Sequence, residues 1–479
     1  MFTNMQIEIS TTLILSLQFT TGNFVESFTN SNEPPTAQKA TIYPPSWDAL
    51  DKRPLPMWYD AAKIGIFVVW GVYSVPSVYS EWFWYRWKHD QSKQYVDFMR
   101  RNYRPNFTYA DFAPQLTAEF LDTDEWVKLF KYSGAQYVVF TTKHHDGFTN
   151  WPSNYSFNWN SKQVGPNRDI VGELVNSLRK YDMRVGLYHS LFEWFNPLYL
   201  QDKENNFKTQ TFIKDKTLPE LYELINKYKP DILWSDGDGE ANSVYWNSTQ
   251  FLSWLYSYSS VKDEVVTNDR WGYDAMCKHG GFLTCQDRYN PGKLQNRKWE
   301  NAMTIDKLSW GFRRNANLNE FLTIEDLITA IVQTISCGGN ILINVAPSYD
   351  GTIQPLFQER LAQMGQWLNV NYEAIYGSFP WKFQNDTHTP RVWFTEHQIK
   401  NTKAVYAIVL NWPKDNFLYL GAPIPVADQT AVCLLGTENQ LNWTAPQQGG
   451  INITVPYIPY NKMPCQWAWV FRILGLQNA

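Results

Sequence analysis

The chain reads as an α/β protein: a (β/α)8-like TIM barrel followed by a C-terminal antiparallel β-sandwich. Short, near-continuously apolar runs alternate with amphipathic helical stretches about eight times, the pattern of a parallel sheet covered on both faces. The region from about residue 40 to 375 has the length of such a barrel with insertions. After Gly377 the texture changes. Pro380, Pro390 and Pro413 punctuate short strand-like runs, which predicts a small antiparallel sandwich.

The elements follow in order. The first strand is expected at 64–70 (IGIFVVW). A helix over 116–133 is expected from Phe120, Leu121, Trp126, Leu129 and Phe130 at helical spacing, with acidic residues in 122–125 near its N-terminal end. Strand 136–142 (QYVVFTT), helix 170–181 and strand 184–189 come next, then helix 218–229 and strand 231–236. A helix over 246–258 and a strand at 264–268 precede 304–312, read as a strand and loop. Helix 324–336, strand 340–346 and helix 354–371 complete the barrel. Sandwich strands are expected at 391–394, 404–410, 431–435, 451–455 and 467–471. The expected domains are a signal peptide at 1–22, a flexible segment at 23–38, the barrel at 39–378 and the sandwich at 379–479.

Composition narrows the function. Apolar residues make up 44% of the 479 and charged residues 18%, enough to bury a sizeable core. Net charge is −4 with Lys and Arg scattered, which excludes a basic nucleic-acid-binding face. No apolar run reaches the length of a membrane span. Aromatics reach 16%, with 23 Trp, and tilt the chain toward carbohydrate because Trp offers a large flat apolar face.

The N-terminal run 9–19 resembles the apolar part of a secretory signal, without a basic n-region. Six Asn-X-Ser/Thr sequons, at Asn106, Asn154, Asn247, Asn385, Asn442 and Asn452, support the secretory route. Of the five cysteines, Cys277 and Cys285 flank a short loop that a disulfide would close. Cys433 and Cys465 form a second candidate pair, and Cys337, in an apolar stretch, reads as a buried thiol. No CxxC or His-rich spacing marks a metal site.

The chemistry concentrates at strand ends, where barrels carry their active sites. Segment 230–237 (PDILWSDG) is an apolar strand that stops on Asp236 beside Trp234. A carboxylate beside an aromatic wall suits attack on a sugar's anomeric carbon; read alone, Asp236 serves equally as a cap. Other strand ends supply His144 and His145, Tyr188 and Arg270. Glu81 and Trp82 open an aromatic loop with the look of a sugar platform. Retaining glycoside hydrolysis needs a second carboxyl group as acid/base. Asp287, in the cysteine-flanked loop, and Glu300, beside Trp299, are the two candidates. The chemistry requires no cofactor and no metal.

Several segments together resemble glycoside hydrolase family 29, the α-L-fucosidases, in their animal lysosomal and secreted form. They stand here as 63–67 (KIGIF), 70–76 (WGVYSVP), 80–82 (SEW), 141–148 (TTKHHDGF), 186–190 (GLYHS), 233–237 (LWSDG), 268–272 (NDRWG), 309–312 (SWGF) and 338–340 (GGN). The resemblance implies release of terminal α-L-fucose from glycoprotein and glycolipid glycans by double displacement. It implies Asp236 as nucleophile, Asp287 in preference to Glu300 as acid/base, and fucose contacts from Glu81, Trp82, His144, His145, Tyr188, Trp234 and Arg270. It also implies a lysosomal or secreted location, with fucosylated glycans as partners and homo-oligomers compatible with it. Two positions depart from the family pattern. Val69 stands where the family carries a fucose-contacting histidine before Trp-Gly, and Gln286 stands where animal members carry Glu. The alternative implied by Val69 is a catalytically impaired fucose-binding protein on the same scaffold.

Overall fold

A computed structural model describes residues 41–399, 402–437 and 439–479. The expected signal peptide at 1–22 and the flexible segment at 23–38 lie outside the described residues. Among the described residues a parallel sheet of seven strands is formed by β1 (Ile64–Val68), β2 (Tyr137–Lys143), β3 (Arg184–Ser190), β4 (Ile232–Asp236), β5 (Val266–Thr267), β6 (Trp299–Thr304) and β7 (Gly339–Val345). Their order is β5-β4-β3-β2-β1-β7-β6.

An eighth regular strand is absent among the described residues. Segment 281–283 instead bridges the two edges. Gly281 N and Phe282 N donate to Thr267 O of β5 (3.0 and 3.1 Å), Leu283 N donates to Lys298 O, and Glu300 N of β6 donates to Leu283 O (2.8 Å). The sheet thus returns on itself in a TIM-like barrel with one irregular seam.

Strand alternation sorts the side chains. On β1, Ile64, Ile66 and Val68 pack outward in the main core shared with the helices. Phe67 and Val69 turn inward with Tyr137, Tyr188, Trp234, Ala302 and Leu342. Gly65 makes room on the inner face: a Cβ there would lie 2.2 Å from the Tyr137 ring. The outer layer includes α1 (Thr123–Tyr132), α2 (Ile170–Lys180), α3 (Leu218–Tyr228), α4 (Ser248–Ser257), α5 (Ile324–Ser336) and α6 (Pro355–Asn371).

Two barrel expectations need correction. The helix expected from 116 begins at Thr123, because Asp122 Oδ1 accepts from Asp124 N (2.9 Å) and Glu125 N (3.1 Å) as its N-cap. Phe120, read as part of its buried face, is exposed. The strand expected from 304 ends there instead: β6 spans Trp299–Thr304 and reads poorly because Glu300 and Asn301 interrupt its apolar residues.

Beyond α6 the chain forms a six-stranded antiparallel sheet and a three-stranded one, enclosing Trp381, Phe394, Val405, Leu420, Ile453 and Phe471. Trp367 Nε1 of α6 donates to Ala468 O (2.9 Å) and fastens this part to the helical layer. Cys277 and Cys285 form a disulfide. Cys433 and Cys465 do not pair: Cys433 lies opposite Arg472 in the sheet, whereas the Cys465 thiol donates to Ala468 O. Cys337 is a buried thiol, as expected.

The disulfide encloses the start of the seam. The double variant Cys277→Ser/Cys285→Ser is expected to lose about 2–3 kcal/mol from loop closure alone. Urea midpoints of wild type and variant, under non-reducing conditions, measure the loss; unchanged midpoints would mean that the seam holds without its clasp.

Candidate active site

Asn268, Asp269 and Arg270 organise the C-terminal mouth of the sheet, each differently. Asn268 continues the β4–β5 pairing by side chain. Its Oδ1 accepts from Ser235 N (3.1 Å) and Ser235 Oγ (2.8 Å), and its Nδ2 donates to Ser235 O (2.8 Å). Asp269, fully buried, anchors the disulfide loop. It accepts from the backbone N–H of Cys277 (2.8 Å), Thr284 (2.9 Å) and Cys285 (3.0 Å), and from the Thr284 hydroxyl (2.6 Å). Arg270 lies over the Trp234 ring, 4.8 Å from its centroid. Its Nη1 donates to Asp236 Oδ1 (2.9 Å), its Nη2 to Asp287 Oδ1 (2.6 Å) and its Nε to Thr284 Oγ1 (3.1 Å).

Asp236 ends β4. The register sets Tyr188 beside Trp234 and Ser190 beside Asp236, so these four share the inward face. Tyr188 donates its hydroxyl to Asp236 Oδ2 (2.7 Å). Burial pushes the Asp236 pKa up, but the Arg270 guanidinium and the Tyr188 hydroxyl outweigh it and hold the carboxyl well below the usual range. Asp236 is therefore ionised throughout the mildly acidic range.

His145 is held in one tautomer. The Ser190 hydroxyl donates its single hydrogen to Phe192 O (2.7 Å), so its oxygen accepts from His145 Nδ1–H (2.7 Å). Burial, with His144 alongside, lowers the His145 pKa well below the ordinary value. The neutral ring presents a bare Nε2 at 3.5 Å from Asp236 Oδ2, an acceptor for a ligand hydroxyl. Burial likewise lowers the His144 pKa.

A cavity of about 330 Å³ opens over these groups. Its lining includes Glu81, Trp82, His144, His145, Tyr188, Trp234, Asp236, Arg270 and Asp287. Glu81 is fixed by Ser309 Oγ (2.9 Å), Trp310 N (3.0 Å) and Gly311 N (3.0 Å), all donating to its Oε2. Trp82 stands edge-on to His145. Asp287 is the most open of the carboxylates at the Arg270 fork, its side chain 47% exposed against 20% for Asp236.

Glu300 is elsewhere. It points from β6 into the barrel and is fully buried. Its Oε2 accepts from the Tyr59 and Tyr137 hydroxyls (2.7 Å each), and its Oε1 from Trp234 Nε1 (2.9 Å). Burial raises its pKa against the pull of these donors. Glu300 is a strut beneath Trp234 and does not line the cavity.

Val69 does line it. Near the end of β1 three buried polar atoms lack a protein hydrogen-bond partner: the Tyr73 and Thr141 hydroxyls and His144 Nδ1. Tyr73 packs in the same cluster as Val69 and edge-on to His144.

Further lining residues escaped the sequence argument: Phe67, Trp310, Asp238 and Glu240. Trp310 sits in a segment already singled out, and its ring faces the cavity while its N–H holds Glu81. Asp238 stands two residues after Asp236. Burial, and then the charge of Asp236, raise its pKa to about 6.

A barrel that carries a salt-bridged carboxylate pair among aromatic walls at its C-terminal strand ends defines a glycoside hydrolase. The α-L-fucosidase family model matches residues 30–373, and the model of the α-L-fucosidase C-terminal domain matches residues 384–474. The chain belongs to the α-L-fucosidase family, glycoside hydrolase family 29. It is 56% identical over 436 residues to an α-L-fucosidase of Branchiostoma floridae, covering 91% of this chain and 96% of that one. It is 54% identical over 441 residues to human plasma α-L-fucosidase, covering 92% and 94%. Among solved structures, Thermotoga maritima α-fucosidase in complex with fucose superposes with a TM-score of 0.74 at 31% identity, covering 90% of this chain and 100% of that one.

Asp238 gives a pH-dependent prediction. Its folded pKa, about 6, exceeds the ordinary value of about 3.9, so its protonated form favours the native state. That contribution is complete below about pH 4 and lost as pH rises through about 6. The variant Asp238→Asn keeps an acceptor for Gly272 N–H, which donates to Asp238 Oδ2 in the wild type. It is expected to be more stable than wild type at pH 7 by on the order of 1–3 kcal/mol, with the gap vanishing near pH 4. Urea unfolding at the two pH values reads this directly.

Proposed function

We propose that this protein is a retaining exo-glycosidase that hydrolyses terminal α-L-fucose from glycoprotein and glycolipid glycans. The observation that carries the proposal is the Arg270 fork, which holds Asp236 at 2.9 Å and Asp287 at 2.6 Å on its two terminal nitrogens. Retention calls for two carboxyl groups roughly 5–5.5 Å apart, and one guanidinium with a carboxylate on each terminal nitrogen sets a separation of that order. Asp236, kept ionised, attacks the anomeric carbon as Asp287 gives a proton to the departing glycosidic oxygen. The product is a fucosyl ester on Asp236. Asp287 then takes a proton from water, the water oxygen attacks the anomeric carbon, and Asp236 leaves as carboxylate. The fucose contacts are Glu81, Trp82, His144, His145, Tyr188, Trp234 and Arg270. Glu300 does not serve as acid/base, since its oxygens are engaged by Tyr59, Tyr137 and Trp234. A lysosomal or secreted location is supported by human relatives named plasma and tissue α-L-fucosidase and by the Cys277–Cys285 bond.

Release of chromophore from 4-nitrophenyl α-L-fucoside tests the roles. Asp236→Gly is expected to abolish turnover, with azide restoring part of it as fucosyl azide. Asp287→Asn is expected to fall steeply on substrates with poor leaving groups and less on the nitrophenyl fucoside, whose leaving group needs little protonation. Glu300→Gln, which cannot be explained by lost proton transfer, is expected to act through stability and Trp234 placement. A leaving-group dependence in Glu300→Gln rather than Asp287→Asn would reverse the assignment.

Val69 favours a second reading, a fucose-binding protein with little turnover. Fucose binding by calorimetry without hydrolysis at any pH supports it. Val69→His puts a hydrogen-bonding ring into the cavity wall beside Tyr73, so kcat/KM is expected to rise roughly five- to a hundredfold, the worth of about 1–3 kcal/mol. No gain would mean that the pocket works around valine.

A further inference from the structure

A second cavity, of about 790 Å³, adjoins the first, and Glu240 lines both. Glu240 is a fixed partition: its carboxylate accepts from the Tyr199 hydroxyl (2.5 Å) and pairs with Lys203 (2.7 Å). One wall is 206–215, the other 240–245, with Tyr273 at the rim.

The walls are cross-tied. The buried Asp202 carboxylate accepts from Thr209 Oγ1 (2.5 Å) and Phe212 N (2.9 Å) of the first wall and from the Tyr245 hydroxyl (3.1 Å) of the second. Gln210 Nε2 spans the same gap to Val244 O and Tyr245 O, 2.9 Å each. Asn206 and Phe207 both hold φ of +59°, a left-handed conformation that costs non-glycine residues free energy and clusters at functional sites. Into this braced cleft two apolar side chains remain open, Val244 at 75% and Tyr273 at 58% exposure. A phenol ring and an aliphatic side chain offer the C–H face of a pyranose a surface to pack on, and the backbone-rich walls offer hydrogen bonds to its hydroxyls.

We propose that this cavity is the aglycone site: it binds the hexose or N-acetylhexosamine units to which the fucosyl group is attached. The inference rests on the fucosidase function proposed above. A glycan whose terminal fucose fills the first cavity has to leave it over the mouth, and Glu240, which lines both cavities, sets the second beside that exit. Asp236 and Asp287 then act on a bond whose far side is held by Tyr273, outside the catalytic machinery.

The test compares kcat/KM on three substrates, 4-nitrophenyl α-L-fucoside, 2′-fucosyllactose and 3-fucosyllactose, for wild type, Tyr273→Ala and Tyr273→Phe. The nitrophenyl substrate carries no aglycone sugar. Tyr273→Ala is expected to keep the wild-type value on it and to lose roughly three- to tenfold on whichever fucosyllactose wild type cleaves best, the scale of one aromatic contact. Tyr273→Phe, which retains the ring, is expected to recover most of that loss. Equal values for Tyr273→Ala and wild type on the fucosyllactoses, or an equal loss on all three substrates, overturns the site. If wild type releases nothing from any of the three, the fucosidase function itself fails, a different outcome from an active enzyme indifferent to Tyr273.

Discussion

The structure depends on one guanidinium. Arg270 places a cation where β5 ends, under two carboxylates that would otherwise repel each other and resist burial. Its own burial works against its charge, but Asp236 and Asp287 hold its pKa above the ordinary value. The exchange is mutual: a buried ion pair survives when its geometry is good and its remaining hydrogen-bonding groups are satisfied. Here Thr284 Oγ1 accepts a hydrogen bond from Nε and the Trp234 ring covers the guanidinium face. Removing the cation would leave Asp236 charged in a largely apolar cavity, with only Tyr188 and a neutral His145 at hand.

Beneath that site lies a second polar device inside the barrel. Glu300 gathers Tyr59, Tyr137 and Trp234, each through a hydrogen bond of 2.9 Å or less. Four large polar side chains in the lumen are tolerated because each polar end is paired. The arrangement sets the height and tilt of Trp234, against which Arg270 stacks. Gly65 belongs to the same device, since any side chain there would displace Tyr137. Positioning of Arg270 and the carboxylates it holds thus begins several residues below them.

Much of this was legible in the chain. Strands such as 232–236 and 339–345 announced themselves because both of their faces are buried, which forces continuous apolar runs. Helix α5 was read at its observed bounds because Thr323 caps it and its buried face is regular. Asp236, Arg270 and the His pair stood out because each follows such a strand. The failures have physical causes. β6 carries Glu300 inward to Tyr59, Tyr137 and Trp234 and Asn301 outward to Thr334 of α5, partners from distant positions that no local pattern discloses. The seam at 281–283 is three residues long and opens on Gly281, too short for an alternating or apolar run to mark it as a strand. Asp269 looks like one more loop carboxylate until its four donors, all from the disulfide loop, are seen. Glu300 and Asp287 could not be ranked in sequence because their burial, complete for Glu300 and partial for Asp287, is set by distant elements.

The seam has an evolutionary side. In most barrels the loops at the catalytic face are free to vary, since the strands below them hold the fold independently. Here the stretch that brings Asp287 to the cavity is the continuation of the stretch that closes the sheet, with Asp269 gripping the junction. A change in this loop that shifts Asp287 also loads the barrel's irregular joint. The walls of the second cavity, 206–215 and 240–245, carry no strand of the sheet, so side chains there can be exchanged without opening it.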